Sequence, residues 1–135
     1  MTIIWMYRGR VMTQAQTKHT GRLSGKVALV SGAAAADGAV GIGAATATLF
    51  AREGAKVLLV NRTEAYAQQL RDQIASQGGE CAVFIGDVTC EDDVQRMVEA
   101  AIATYGRIDI LHNNAGVGAP GTVVSVEQSV WDRAM

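Results

Sequence analysis

Val27-Ala28-Leu29-Val30-Ser31-Gly32, followed after an alanine-rich interval by Gly41-Ile42-Gly43, decides how this chain folds. A short apolar run bounded by glycine reads as a buried strand, and the alanine-rich segment beyond Gly43 reads as a helix. Such a passage from strand through glycines into helix gathers unpaired backbone N–H groups at the positive end of the helix dipole, where glycine lets a diphosphate come close. A nucleotide site is the first expectation.

The same alternation continues along the chain. The first helix is expected to begin near Gly41, to carry Ile42, Ala45, Leu49 and Phe50 on one face, and to stop at Gly54. Val57 to Val60 forms the second strand. Thr63 can cap a second helix in which Tyr66, Leu70 and Ile74 recur every four residues until Gly78-Gly79. Ala82 to Ile85 is the third strand. Thr89 and Asp92 resemble a capping box for a third helix, whose stripe is Val94, Met97, Val98, Ala101, Ile102 and Tyr105, closed by Gly106. A fourth strand, Ile108 to Leu111, runs into Asn113-Asn114-Ala115-Gly116, and a partial helix follows near 126–135. Strands alternating with helices predict an α/β fold: a doubly wound parallel sheet of the Rossmann type, about four strands wide. Right-handed crossovers then put Gly41-Ile42-Gly43, Asn61-Arg62, Asp87 and Asn113 to Gly116 at one edge of that sheet, where strands diverge and ligands bind.

Composition narrows the partners. The 135 residues are 49% apolar and 19% charged with a net charge of −1, ordinary for one globular domain. That charge and a pI near 6.1 give no broad basic field, so nucleic acid and anionic membranes are poor partners and a small ligand is expected. Cys81 and Cys90 form no C-x-x-C pair, which suggests neither zinc nor a disulfide framework but reduced thiols of a cytoplasmic protein. The apolar patch Ile3-Ile4-Trp5-Met6 is too short to span a membrane. Residues 1–22 read as a flexible leader, with Met12 as an alternative start, and residues 23–135 as the partial domain.

From about Leu23 to Met135 the chain resembles the short-chain dehydrogenase/reductase family. That family has a Thr-Gly-x-x-x-Gly-x-Gly loop after its first strand, Asp-Val after its third and Asn-Asn-Ala-Gly after its fourth. Here stand Ser31-Gly32 with Gly41-Ile42-Gly43, Asp87-Val88-Thr89, and Asn113-Asn114-Ala115-Gly116, with Trp131-Asp132-Arg133 near the end. The loop departs from the pattern: eight residues, Ala33 to Val40, separate Gly32 from Gly41, and they include the turn-favouring Asp37-Gly38. An excursion there would leave Gly41 and Gly43 at the diphosphate.

The resemblance implies an NAD(P)-binding Rossmann domain from an oxidoreductase that interconverts an alcohol and a ketone by hydride transfer, its full-length form a homo-oligomer. Asp87 would accept from the adenine amine, Val88 pack on the ring, Asn113 tie the central strands together, and Ala115 and Gly116 let a ribose approach. At the tip of the second strand, where an acid would hold the ribose hydroxyls, Asn61-Arg62 stands instead. An arginine beside an uncharged residue can fork onto a 2′-phosphate, which favours NADP(H) over NAD(H). His112 reads as a buried or half-buried structural histidine.

The family's catalytic Ser and Tyr-x-x-x-Lys are not found. Tyr7, Tyr66 and Tyr105 are followed four residues later by Val11, Leu70 and Asp109. No residue is therefore assigned to catalysis, and the chain alone is expected to bind without turnover. Two other readings are a non-catalytic nucleotide-binding module that associates with a complete homologue, and a truncated product without function.

Overall fold

A computed structural model describes residues 4–7, 10–13, 21–34, 40–116, 118, 120–122 and 124–134. Near the N-terminus, β1 (Ile4–Tyr7) and β2 (Arg10–Thr13) pair antiparallel, from Ile4 opposite Thr13 to Tyr7 opposite Arg10. The reading of this segment as a leader did not include that hairpin.

The main sheet is β3 (Val27–Ser31), β4 (Lys56–Asn61), β5 (Glu80–Ile85) and β6 (Ile110–Asn113), all parallel in the order β5-β4-β3-β6. Their connections are α1 (Ile42–Arg52), α2 (Glu64–Ser76) and α3 (Glu91–Tyr105), and α4 (Gln128–Ala134) follows β6. The chain first steps outward from β3 to β5, then crosses back through α3 to the other side of β3. This reversal makes the C-terminal ends of the neighbouring strands β3 and β6 the topological switch point, the place where doubly wound sheets hold ligands.

Both central strands are buried on two faces, which explains their unbroken apolar sequence. On one face Val30, Val57 and Leu59 pack with Ala47 and Ala51 of α1 and Leu70 and Ile74 of α2. On the other, Leu29, Leu58 and Val60 pack with Met97 and Ala101 of α3. Gly54, Gly78 and Gly106 follow the three helices with positive φ, as expected of helix stops.

Four local expectations are corrected. The side of α1 turned to the sheet is Gly43, Ala47 and Ala51, whereas Ile42 is 74% and Leu49 48% exposed. Close approach of helix to strands selects small residues over large apolar ones, so bulk faces outward. In α3 only Met97 and Ala101 are buried, and Val98 and Ile102 stand exposed on the half of the stripe that the sheet does not reach. No Thr89 capping box forms: Cys90 occupies the N-cap, and the Thr89 hydroxyl donates to Asp87 Oδ1. The last strand starts two residues later than expected, at Ile110, and Asp109 before it closes the sheet's lower end, its N–H donating to the Val27 carbonyl and its Oδ2 accepting from Val27 N–H, each at 2.9 Å.

Candidate functional site

The site begins at the end of β3. Ser31, 2% exposed, turns its hydroxyl toward β6, where Oγ accepts from Asn114 N–H at 3.1 Å and Ala115 N–H at 3.3 Å and lies 3.5 Å from the His112 carbonyl. Gly32 then takes φ +60°, and a Cβ there would stand 2.9 Å from Ala115 Cα. Only glycine both adopts that left-handed turn and leaves room for the β6 loop. The Asn114 side chain completes the link, its Nδ2 donating to the Gly32 carbonyl at 3.0 Å. The tie expected of Asn113 is thus made by its neighbour, because Asn113 still belongs to β6, in register with Ser31, and is exposed.

Ala33 N–H donates to the Val60 carbonyl and anchors the loop to β4. Beyond it, residues 35–39 lie outside the described residues, and with them the proposed Asp37-Gly38 excursion. Where the chain returns, Gly43 is pressed against Gly32. The start of α1 is therefore joined to the end of β3 despite the long loop.

Around this junction lies a cleft of about 460 Å³ at the C-terminal ends of the strands. Of the residues singled out in the sequence, Gly32, Asn61, Arg62, Asp87, Val88, Ala115 and Gly116 line it. Ser31 and Gly43 lie behind the wall as supports, and Gly41, Ile42 and Asn113 are not part of the lining. Thr63, Tyr66, Thr89, Asn114 and Ala134 also line the cleft and were not among the expected ligand-binding residues. Thr63, Tyr66 and Thr89 follow the Asn61-Arg62 and Asp87-Val88 tips so closely that position alone could have found them; Ala134, brought back by α4, carried no such signal.

Two charges face each other across the opening. Arg62 Nη1 lies 3.5 Å from Asp87 Oδ2, and among the described residues these are the only charged residues in the lining. Asp87 is held firmly: Oδ1 accepts from Thr89 N–H at 2.9 Å and Thr89 Oγ1–H at 2.8 Å, and its own N–H donates to Asp93 Oδ2 at 2.8 Å. The Thr89 bonds keep its carboxyl below the usual carboxylate range, with Arg62 acting in the same direction. The tip of β4 carries the uncharged Asn61 amide, whose Nδ2 donates to the Thr63 carbonyl.

Small residues at the floor, with Arg62 and Asp87 at the rim, fit the adenosine end of a dinucleotide. They offer a carboxylate oxygen to an exocyclic amine and a guanidinium to a phosphate. Among the described residues, no cluster of His, Cys, Asp and Glu is placed to hold a metal ion. His112 faces Phe50 edge-on with ring centroids 6.5 Å apart, away from this chemistry. Among the described residues, no helix is long and apolar enough to cross a membrane.

Comparison with known proteins gives a consistent result. The short chain dehydrogenase family matches residues 26–135. Tropinone reductase-like 1 of Erythroxylum coca is 42% identical over 118 residues, covering 84% of this chain and 40% of the relative. D-threitol dehydrogenase of Mycolicibacterium smegmatis is 40% identical over 92% of this chain and 47% of its own length. The chain thus spans less than half the length of these curated relatives. Among solved structures, a short chain dehydrogenase from Mycobacterium smegmatis superposes with a TM-score of 0.76 at 37% identity, over 84% of this chain and 46% of that one. A metagenomic short-chain oxidoreductase in complex with NADP superposes with a TM-score of 0.71 at 34% identity, over 83% of this chain and 49% of that one.

Proposed function

The chain belongs to the short chain dehydrogenase family, and we propose that it is the dinucleotide-binding portion of an NAD(P)-dependent oxidoreductase that interconverts an alcohol and a ketone. The observation that carries this reading is the meeting of four separated segments, at Gly32, Arg62, Asp87 and Ala115, around one cleft.

In this reading Asp87 accepts from the adenine amine and Val88 packs on the ring. Arg62, beside the uncharged Asn61, holds a 2′-phosphate, so NADP(H) is preferred to NAD(H). Gly32, Ala115 and Gly116 keep the floor low for the sugar and diphosphate. Ser31 and Asn114 fix that floor from below, and Gly41, Ile42 and Gly43 bring the start of α1 toward the diphosphate. The nicotinamide ring, when bound, supplies or takes up the hydride. With no Tyr-x-x-x-Lys in the sequence to move the proton, the 135-residue chain binds without turnover. The complete enzyme is read as a cytoplasmic homo-oligomer.

Calorimetric titration of the chain with NADP and with NAD tests this. Saturable binding, tighter for NADP, is the expected result, and Asn61→Asp is expected to move preference toward NAD. Binding of neither nucleotide to folded protein would overturn the assignment.

A further inference from the structure

Among the described residues, Arg62 and Asp87 are the charged side chains lining the cleft, and each is the other's partner. Their surroundings differ. Asp87 sits on a loop pinned by Asp93, with Oδ1 filled by two hydrogen bonds from Thr89, so that Oδ2 alone remains to serve a ligand or Arg62. Arg62 is the long, largely exposed partner, free to swing on its stem.

We propose that Asp87 is an internal competitor for Arg62, which the guanidinium must leave in order to hold a 2′-phosphate, so that this pair sets how strongly the cleft distinguishes phosphorylated from unphosphorylated adenosine. The proposal rests on the reading of the cleft as an adenine-dinucleotide site. A phosphate dianion offers several oxygens where Asp87 offers one, and it wins the guanidinium. A ribose hydroxyl carries no charge and leaves the pair in place. Binding NADP therefore sacrifices the Arg62–Asp87 contact, binding NAD does not, and the carboxylate narrows a preference that Arg62 alone would make wider. An adenine amine bonded to Oδ2 weakens the hold on Arg62 for either ligand, which makes base recognition and phosphate recognition interdependent.

The test is the ratio of NADP to NAD affinity, measured by calorimetry on the full chain. Asp87→Asn is expected to lower both affinities through the adenine contact while widening their ratio about two- to fivefold, the range of an exposed ion pair. In an Arg62→Gln background the same substitution is expected to leave the ratio unmoved. Circular dichroism checks folding, and Asp87→Ser, which also removes the charge, replaces Asp87→Asn if that variant does not fold. A ratio that stays constant, or widens equally without Arg62, overturns the proposal while leaving the cofactor reading intact. Failure of the unsubstituted chain to bind either nucleotide overturns both.

Discussion

Gly43 and Gly32 touch backbone to backbone: a Cβ built on Gly43 would lie 2.2 Å from the Gly32 carbonyl oxygen and 2.7 Å from Asn114 Nδ2. Neither the carbonyl nor the amide that it bonds can move without undoing the junction of β3 with β6. Gly43→Ala is therefore expected to destabilise the fold by about 1–3 kcal/mol, the usual cost of overpacking, and to weaken NADP binding. Urea unfolding and calorimetry measure the two effects.

Ser31 is the second support. Replacing it with alanine deprives Asn114 N–H and Ala115 N–H of their acceptor at once. A loss of about 1–3 kcal/mol is expected, seen as a lower urea midpoint with an unchanged slope. A midpoint equal to that of the parent chain would show that solvent replaces the hydroxyl.

Acid weakens the structure through three carboxylates held below their ordinary range. Asp87 is held by the Thr89 donors, Asp93 by the Asp87 N–H and then Arg96, and Asp109 by the Val27 N–H and then Arg107. Their stabilisation is complete above the unfolded carboxylate value of about 4 and is lost as pH falls through their lower folded values. The melting temperature is expected to be flat just above that range and to fall below it. Asp109→Asn is expected to flatten part of the decline.

Alkali acts through Tyr105. Burial, aided by the negative charge of Glu80, pushes its phenol up to about 12. The unfolded phenol ionises first, near pH 10, so stability declines from there until the folded group ionises as well. Near-ultraviolet absorbance is expected to show a late-ionising tyrosine that Tyr105→Phe removes. Because the Tyr105 hydroxyl lies 3.5 Å from the Val57 carbonyl, a long hydrogen bond, that substitution is expected to lower stability at neutral pH by less than about 1 kcal/mol.

The parallel sheet was legible because Val27–Val30 and Val57–Val60 are unbroken apolar runs that two-sided burial explains. The inner face of α1 was not, since a reading by hydropathy chooses Ile42 and Leu49 where contact with the sheet requires Gly43, Ala47 and Ala51. Thr89 resembled a cap because its side chain can bond locally, yet the same hydroxyl serves Asp87, a competition invisible in spacing alone. In the cleft, residues at strand tips could be placed from topology. Tyr66 depends on the direction in which α2 leaves β4, and Asn114 on which of two adjacent amides points back to Gly32.

The small-residue side of α1 works as a spacer gauge. Gly43, Ala47 and Ala51 lie along one line of the helix, and the first meets Gly32 and Asn114 behind the cleft. Enlarging Ala47 or Ala51 would lift the rod from its bed and tilt its leading end, so ligand affinity becomes sensitive to methyl-sized changes at residues that meet no ligand.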